Sequence, residues 1–137
     1  MKVLFILLSL FSFEAMAGVC KKASIRYIFD KKPVYEKTEL CQKKTPDNML
    51  FYLSASCAND KCDILKKYKS ELVIKDYRSN IGSPGFKLCQ ELGGVPQIFE
   101  FSFSTDGLWQ SAERCLFGKI DFVEISYLTR EWKPYIK

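Results

Sequence analysis

Apolar and polar positions alternate with period two through much of this chain, the pattern of strands with one buried face. In ASIRYIF (23–29) and VYEKTELC (34–41) the alternation flanks DKKP (30–33), a charged turn with a proline. The two runs therefore predict an antiparallel hairpin. MLFYLSASC (49–57) predicts a third strand, and ANDK (58–61) a tight turn that carries the chain to Cys62. Further on, VPQIFEFSFS (95–104) sets Phe99, Phe101 and Phe103 on one side and Ile98, Glu100 and Ser102 on the other. The turn after it centres on Asp106-Gly107, a strong hairpin signal. LWQSAERCLF (108–117) then returns with Trp109, Ser111, Glu113, Cys115 and Phe117 on a shared face.

The period changes in SPGFKLCQELGG (83–94), where Phe86, Leu88, Cys89 and Leu92 are spaced for one face of a helix over about 84–92. Ser83 is placed to cap it, Pro84 suits its first position, and Gly93-Gly94 close it. Between Lys61 and Tyr77 the text is ambiguous, and a helical turn leading into a strand over 72–77 is the expectation. The fold class predicted is α+β, rich in β: a small disulfide-stapled domain of antiparallel hairpins with one short helix.

The first seventeen residues stand outside this scheme. Lys2, the apolar run Val3–Phe13 and the small residues of Ala15-Met16-Ala17 read as a signal peptide cleaved after Ala17. The run is shorter than a membrane span, and Val19 before Cys20 does not suit lipidation. The remainder, 18–137, reads as one compact domain, with a β-rich region over 18–79 and a helix–hairpin region over 80–137. No later stretch is long and apolar enough to span a membrane.

All six cysteines (Cys20, Cys41, Cys57, Cys62, Cys89 and Cys115) lie after the leader. An even set behind a secretion signal reads as three disulfides in an oxidising compartment, with 15 pairings open. Local geometry suggests one set. Folding about 30–33 brings Cys20 opposite Cys41, a Cys57–Cys62 bridge would staple the turn between them, and Cys89 on the helix would clamp Cys115 on the return strand. A zinc site is not expected, since no second close cysteine pair exists and the chain has no histidine.

The run Ser83-Pro84, Cys89, Gly93-Gly94 and then Cys115-Leu116-Phe117 resembles a small bacterial secreted domain of unknown function, often given a haemolysin label. Pro84, Cys89, Gly93, Gly94, Cys115 and Phe117 match its pattern, and Trp132 stands where that domain has a tryptophan after its second cysteine. GKID (118–121) departs from it, replacing the usual Asp-Gly-Ser turn, and no further cysteine is present beyond Cys115. The resemblance spans 80–132 and bears on fold; it implies no function.

Without histidine there is no Ser-His-Asp or Cys-His nucleophile, and a fully bridged cysteine set leaves no thiolate. Glu91, Glu100, Asp106, Glu113, Asp121 and Glu124 read as surface carboxylates rather than a hydrolytic pair. No phosphate loop or calcium loop is present, so no cofactor, metal or catalytic residue is expected. Net charge is +5, and Lys2 and Glu14 cancel within the leader. Lysines gather at 21–22, 31–32 and 43–44, and then at Lys61, Lys66, Lys67 and Lys69, the expected anion-binding residues. Tyr27, Tyr35, Tyr52, Tyr68 and Tyr77 interleave with them, several at core positions. Such a surface favours an anionic partner, an envelope polymer or an acidic protein, over nucleic acid in that compartment. The expected function is therefore that of a secreted, periplasmic or extracellular binding protein. The alternative is a small inhibitor of a hydrolase such as a lysozyme or protease.

Overall fold

The computed structural model describes residues 19–78, 83–104 and 107–137. Six strands, β1 (Val19–Phe29), β2 (Lys32–Lys44), β3 (Leu50–Ser54), β4 (Val95–Ser102), β5 (Gln110–Phe117) and β6 (Asp121–Glu124), close into an antiparallel barrel. The order around it is β1-β2-β3-β6-β5-β4. Three helices accompany them: α1 (Asp63–Lys66), α2 (Pro84–Glu91) and α3 (Ile125–Trp132). The expected hairpins are present, but they join edge to edge. β1 pairs with β4, and β3 meets β6 at Leu53 and Val123, so both halves of the chain build one barrel.

Register follows from turn chemistry. Asp30 and Lys31 both have positive φ (47° and 61°), the conformation of a two-residue hairpin turn whose twist matches its strands. The turn is thus shorter than 30–33, and Pro33 lies within β2 opposite Ile28. In the same register Cys20 faces Cys41, Ile25 faces Glu36 and Tyr27 faces Val34.

Alternation then sorts side chains into two apolar cores. Inside the barrel lie Ala23, Ile25, Leu40, Phe99, Phe101 and Phe122, with Tyr27, Tyr52 and Leu116 packed against them. On its outer wall Phe51, Leu53, Cys115 and Val123 are covered by Leu88 and Cys89 of α2 and Ile125, Leu128 and Trp132 of α3. Burying both faces of one strand region is what lets a chain this short hold a substantial core.

The three bridges join Cys20–Cys41, Cys57–Cys62 and Cys89–Cys115, with Cα separations of 4.0, 4.5 and 5.6 Å. They mark a chain that matures in an oxidising compartment. The last ties α2 to the outer wall of β5. Phe99 and Phe101 lie on the opposite, inner face, so the bridge encloses the helical core rather than the aromatic strand. Gly93 takes φ +86° and ends α2, whereas Gly94 serves space: a Cβ there would stand 2.3 Å from the Cys115 Sγ.

Several sequence expectations are corrected. The helix count is three among the described residues, since α3 and the single turn α1 join α2. The third strand stops at Ser54, and Ala55–Asp60 forms a 3₁₀ segment with a break at Ala58–Asn59. No strand forms over 72–77; Leu72 makes one isolated parallel bridge to Ile136. Ser83 accepts backbone hydrogen bonds through its carbonyl, from Phe86 at 3.1 Å and Lys87 at 3.2 Å, but its hydroxyl does not cap α2. Leu92 is the residue just past the helix. The leader over 1–17 and the turn residue Asp106 lie outside the described residues. No helix among the described residues is long and apolar enough to cross a membrane.

Candidate functional site

The expected anion-binding lysines are only partly brought together. Lys66 and Lys67, at the end of α1, share a shallow hollow with Asp63 and Asp121 and the apolar Ile64, Leu92 and Phe117. Lys69 is diverted to Glu131 at 3.4 Å. Lys61 caps the 3₁₀ segment. Of the four lysines one is ion-paired, and two share their hollow with two aspartates.

A more concentrated positive site sits at one mouth of the barrel. β3 pairs with β2 only from Leu40 to Lys44, so the first half of β2 has open space beside it. Across that space lies the β5–β6 turn, Gly118–Ile120. The cavity between them holds about 240 Å³ and is lined by Tyr27, Glu36, Lys37, Thr38, Arg114 and Lys119, among others. Arg114 and Glu36 take inward positions there, while Lys37, opposite Ser24 in the register, stands on the outer side of β2 at the rim.

Arg114 is the centre of this site. It occupies an inward position of β5, between Ala112 and Leu116, and only 3% of it is exposed. Its guanidinium carbon lies 4.8 Å from the ring centres of Phe99 and Phe122 and 5.2 Å from that of Tyr27. These are cation–π distances, and the rings take the place of the water that burial removes. In its plane, Nε and Nη2 donate to Gln97 Oε1 at 2.9 and 2.6 Å. Glu36 Oε1 stands 3.7 Å from Nη2, an ion pair too long for a hydrogen bond. Nη1 makes no hydrogen bond among the described residues. Arg114 is itself among the residues that line the cavity. Burial lowers the Arg114 pKa, with Glu36 and Tyr27 opposing. The group stays a cation nonetheless, because arginine does not deprotonate in proteins.

Glu124, read from sequence as a surface carboxylate, is instead half-buried. Its Oε2 accepts the Tyr52 N–H at 2.7 Å and its Oε1 the Ser126 hydroxyl at 2.9 Å. Burial raises its pKa, and these two hydrogen bonds oppose the rise. Glu100 pairs with Arg26, whose guanidinium lies 4.2 Å over Trp109.

Beside the mouth runs a seam. β1 and β4 pair only from Ser24–Arg26 to Glu100–Ser102 and then part. The opening holds about 810 Å³ and is lined by Ile28, Phe29, Tyr35, Val95, Ile98 and neighbouring residues. Ile28 and Phe29, at the tip of the β1–β2 hairpin, are each 67% exposed. Of the interleaved tyrosines, Tyr27 and Tyr52 pack in the barrel, while Tyr35 and Tyr68 are exposed.

Sequence reading passed over Arg114, Lys37 and Lys119. A signal for Arg114 was present: placing Cys115 and Phe117 on one face of the strand puts Arg114 on the other, the face of the aromatic core. No family profile, curated protein or solved structure matches this chain.

Proposed function

We propose that this is a binding protein, secreted into the oxidising compartment where its disulfides form, and that it takes an anionic partner at the barrel mouth without catalysis. The observation that carries the reading is Arg114, a buried cation on the lining of a cavity that also includes Lys37, Lys119 and a single carboxylate, Glu36. Leaving a buried charge loosely paired is unfavourable unless a ligand completes the pairing. The six cysteines are all bonded and offer no thiolate nucleophile.

Calorimetric titration with polyglutamate tests the reading. Binding is expected at low salt, weakening as salt screens the attraction, and weakening further in the Lys37→Glu/Lys119→Glu variant. Absence of binding at low salt, or binding indifferent to both changes, contradicts it.

A second reading has its own observation, the exposed apolar tip at Ile28 and Phe29 beside the seam, which suits insertion into another protein, as in a hydrolase inhibitor. Its mark would be a stoichiometric complex abolished by Phe29→Asp and insensitive to salt.

A further inference from the structure

We propose that the barrel mouth is a carboxylate pocket in which Glu36 holds the ligand's place, so that binding exchanges an internal carboxylate for an external one. This rests on the reading of the mouth as an anion site and names the chemistry of the group that enters it.

The direction of approach is fixed first. Phe99, Phe122 and Tyr27 crowd the Arg114 guanidinium at 4.8 to 5.2 Å, so a ligand reaches it through its edge. The edge of a guanidinium is a planar fork of N–H donors, which matches the two oxygens of a carboxylate. Part of that fork is already used by the neutral Gln97 Oε1. Nη1 and the outer side of Nη2 remain for a second acceptor.

Glu36 shows what that acceptor is. Its backbone register, opposite Ile25, aims it toward the barrel interior, and its Oε1 stops 3.7 Å from Nη2. It balances the arginine's charge from that distance. Its side chain is 43% exposed, so it can swing to water with little loss of packing. A carboxylate entering through the mouth can come closer than a side chain tethered to β2 does, and can engage Nη1 and Nη2 together. Lys37 and Lys119 belong to the cavity's lining, and their positive charge favours an entering anion. The cavity, about 240 Å³, lies below the roughly 300–1,000 Å³ of pockets for drug-sized ligands. It therefore fits a carboxylate with a few attached carbons, either a small free acid or the acidic group of a polypeptide.

The experiment is a calorimetric titration of the disulfide-intact protein and its Glu36→Gln variant. The probes are propionate, inorganic phosphate, a trialanine peptide with a free carboxyl terminus, and the same peptide amidated. Glu36→Gln keeps the shape of the placeholder and removes its charge at a half-exposed position, so the fold should survive it. Propionate and the free-carboxyl peptide are expected to bind, on the order of tenfold tighter in Glu36→Gln, with the amidated peptide inert and phosphate weaker than propionate. A peptide much tighter than propionate assigns the site to polypeptide carboxylates; equal affinities assign it to small acids. Unchanged or weaker binding in Glu36→Gln, or phosphate binding as well as propionate, overturns the proposal. Polyglutamate binding that keeps its dependence on Lys37 and Lys119 in that event leaves the anion reading standing, and loss of both overturns the two together.

Discussion

Arg114 sets the terms at the scale of single residues. A buried cation held by three aromatic faces, a neutral amide and a carboxylate 3.7 Å away still contributes little net stability, because its desolvation offsets those contacts, and an apolar side chain of similar length is often as good or better. Arg114→Met is therefore expected to unfold within about 1 kcal/mol of the wild type in urea while losing polyglutamate binding. A loss of several kcal/mol would make Arg114 a structural residue instead. Gly94 is the opposite case, a residue with no chemistry and no room. Gly94→Ala would press a Cβ to 2.3 Å from the Cys115 Sγ, and overpacking of that kind costs about 1–3 kcal/mol. A Gly93→Ala variant would suffer from backbone strain at φ +86° rather than a clash. Both glycines were legible as a helix stop. The separate role of Gly94 was not, because it depends on a disulfide brought against it from far downstream.

Elements show where local signals suffice. α2 was readable because Pro84 and the glycines punctuate it and its apolar residues keep helical spacing. α3 was missed, although Ile125, Leu128 and Trp132 also share a face, because it begins directly after β6 with no Ser, Thr, Asp or Gly to announce it. Glu124 stands at its start without a capping bond. The stretch LVIKDY carries strand-forming residues but finds no partner strand, and propensity without pairing makes no sheet. The Cys89–Cys115 bridge spans 26 positions and Cys57–Cys62 only 5. Replacing the first pair by alanine should cost about 2–5 kcal/mol, and the second less, because a short loop removes less unfolded-state entropy. Chemical denaturation of the two double variants checks the order. The loop between β2 and β3 is tied to α3 by Asp47, which accepts from Arg130 Nη1 and Nη2 at 2.8 and 2.9 Å. Arg130 and Thr45 hold the Asp47 carboxyl down to about 2, from 3.8. A carboxylate whose pKa falls on folding adds stability that is complete above its unfolded value and fades as pH drops through its folded one. Asp47→Asn should therefore flatten the acid limb of the stability profile between about pH 4 and 2, the window these values define. An unchanged slope there would mean that the pair is idle.

Across the whole molecule, the pairings that close the barrel join strands far apart in sequence, β1 with β4 and β3 with β6. Period-two patterning says which residues face inward, but not which strand lies beside which. Hairpins were thus legible and closure was not. The same gap hid the candidate site. Lys61, Lys66, Lys67 and Lys69 are neighbours in sequence, but folding pairs Lys69 with Glu131 and puts Lys66 and Lys67 on a hollow shared with Asp63 and Asp121. Lys37, Arg114 and Lys119 are far apart in sequence and line one cavity only because β2 lies across from the β5–β6 turn. Charge concentrated by topology, rather than by sequence, is the reason for placing the anion site at the mouth. The most direct measurement tracks the Arg114 Nε–H resonance in the folded, disulfide-intact protein as polyglutamate is added. A saturable shift of that signal at low salt, absent in the Lys37→Glu/Lys119→Glu variant, is the result predicted; binding that leaves Arg114 unmoved while resonances of Lys66 and Lys67 shift would contradict it.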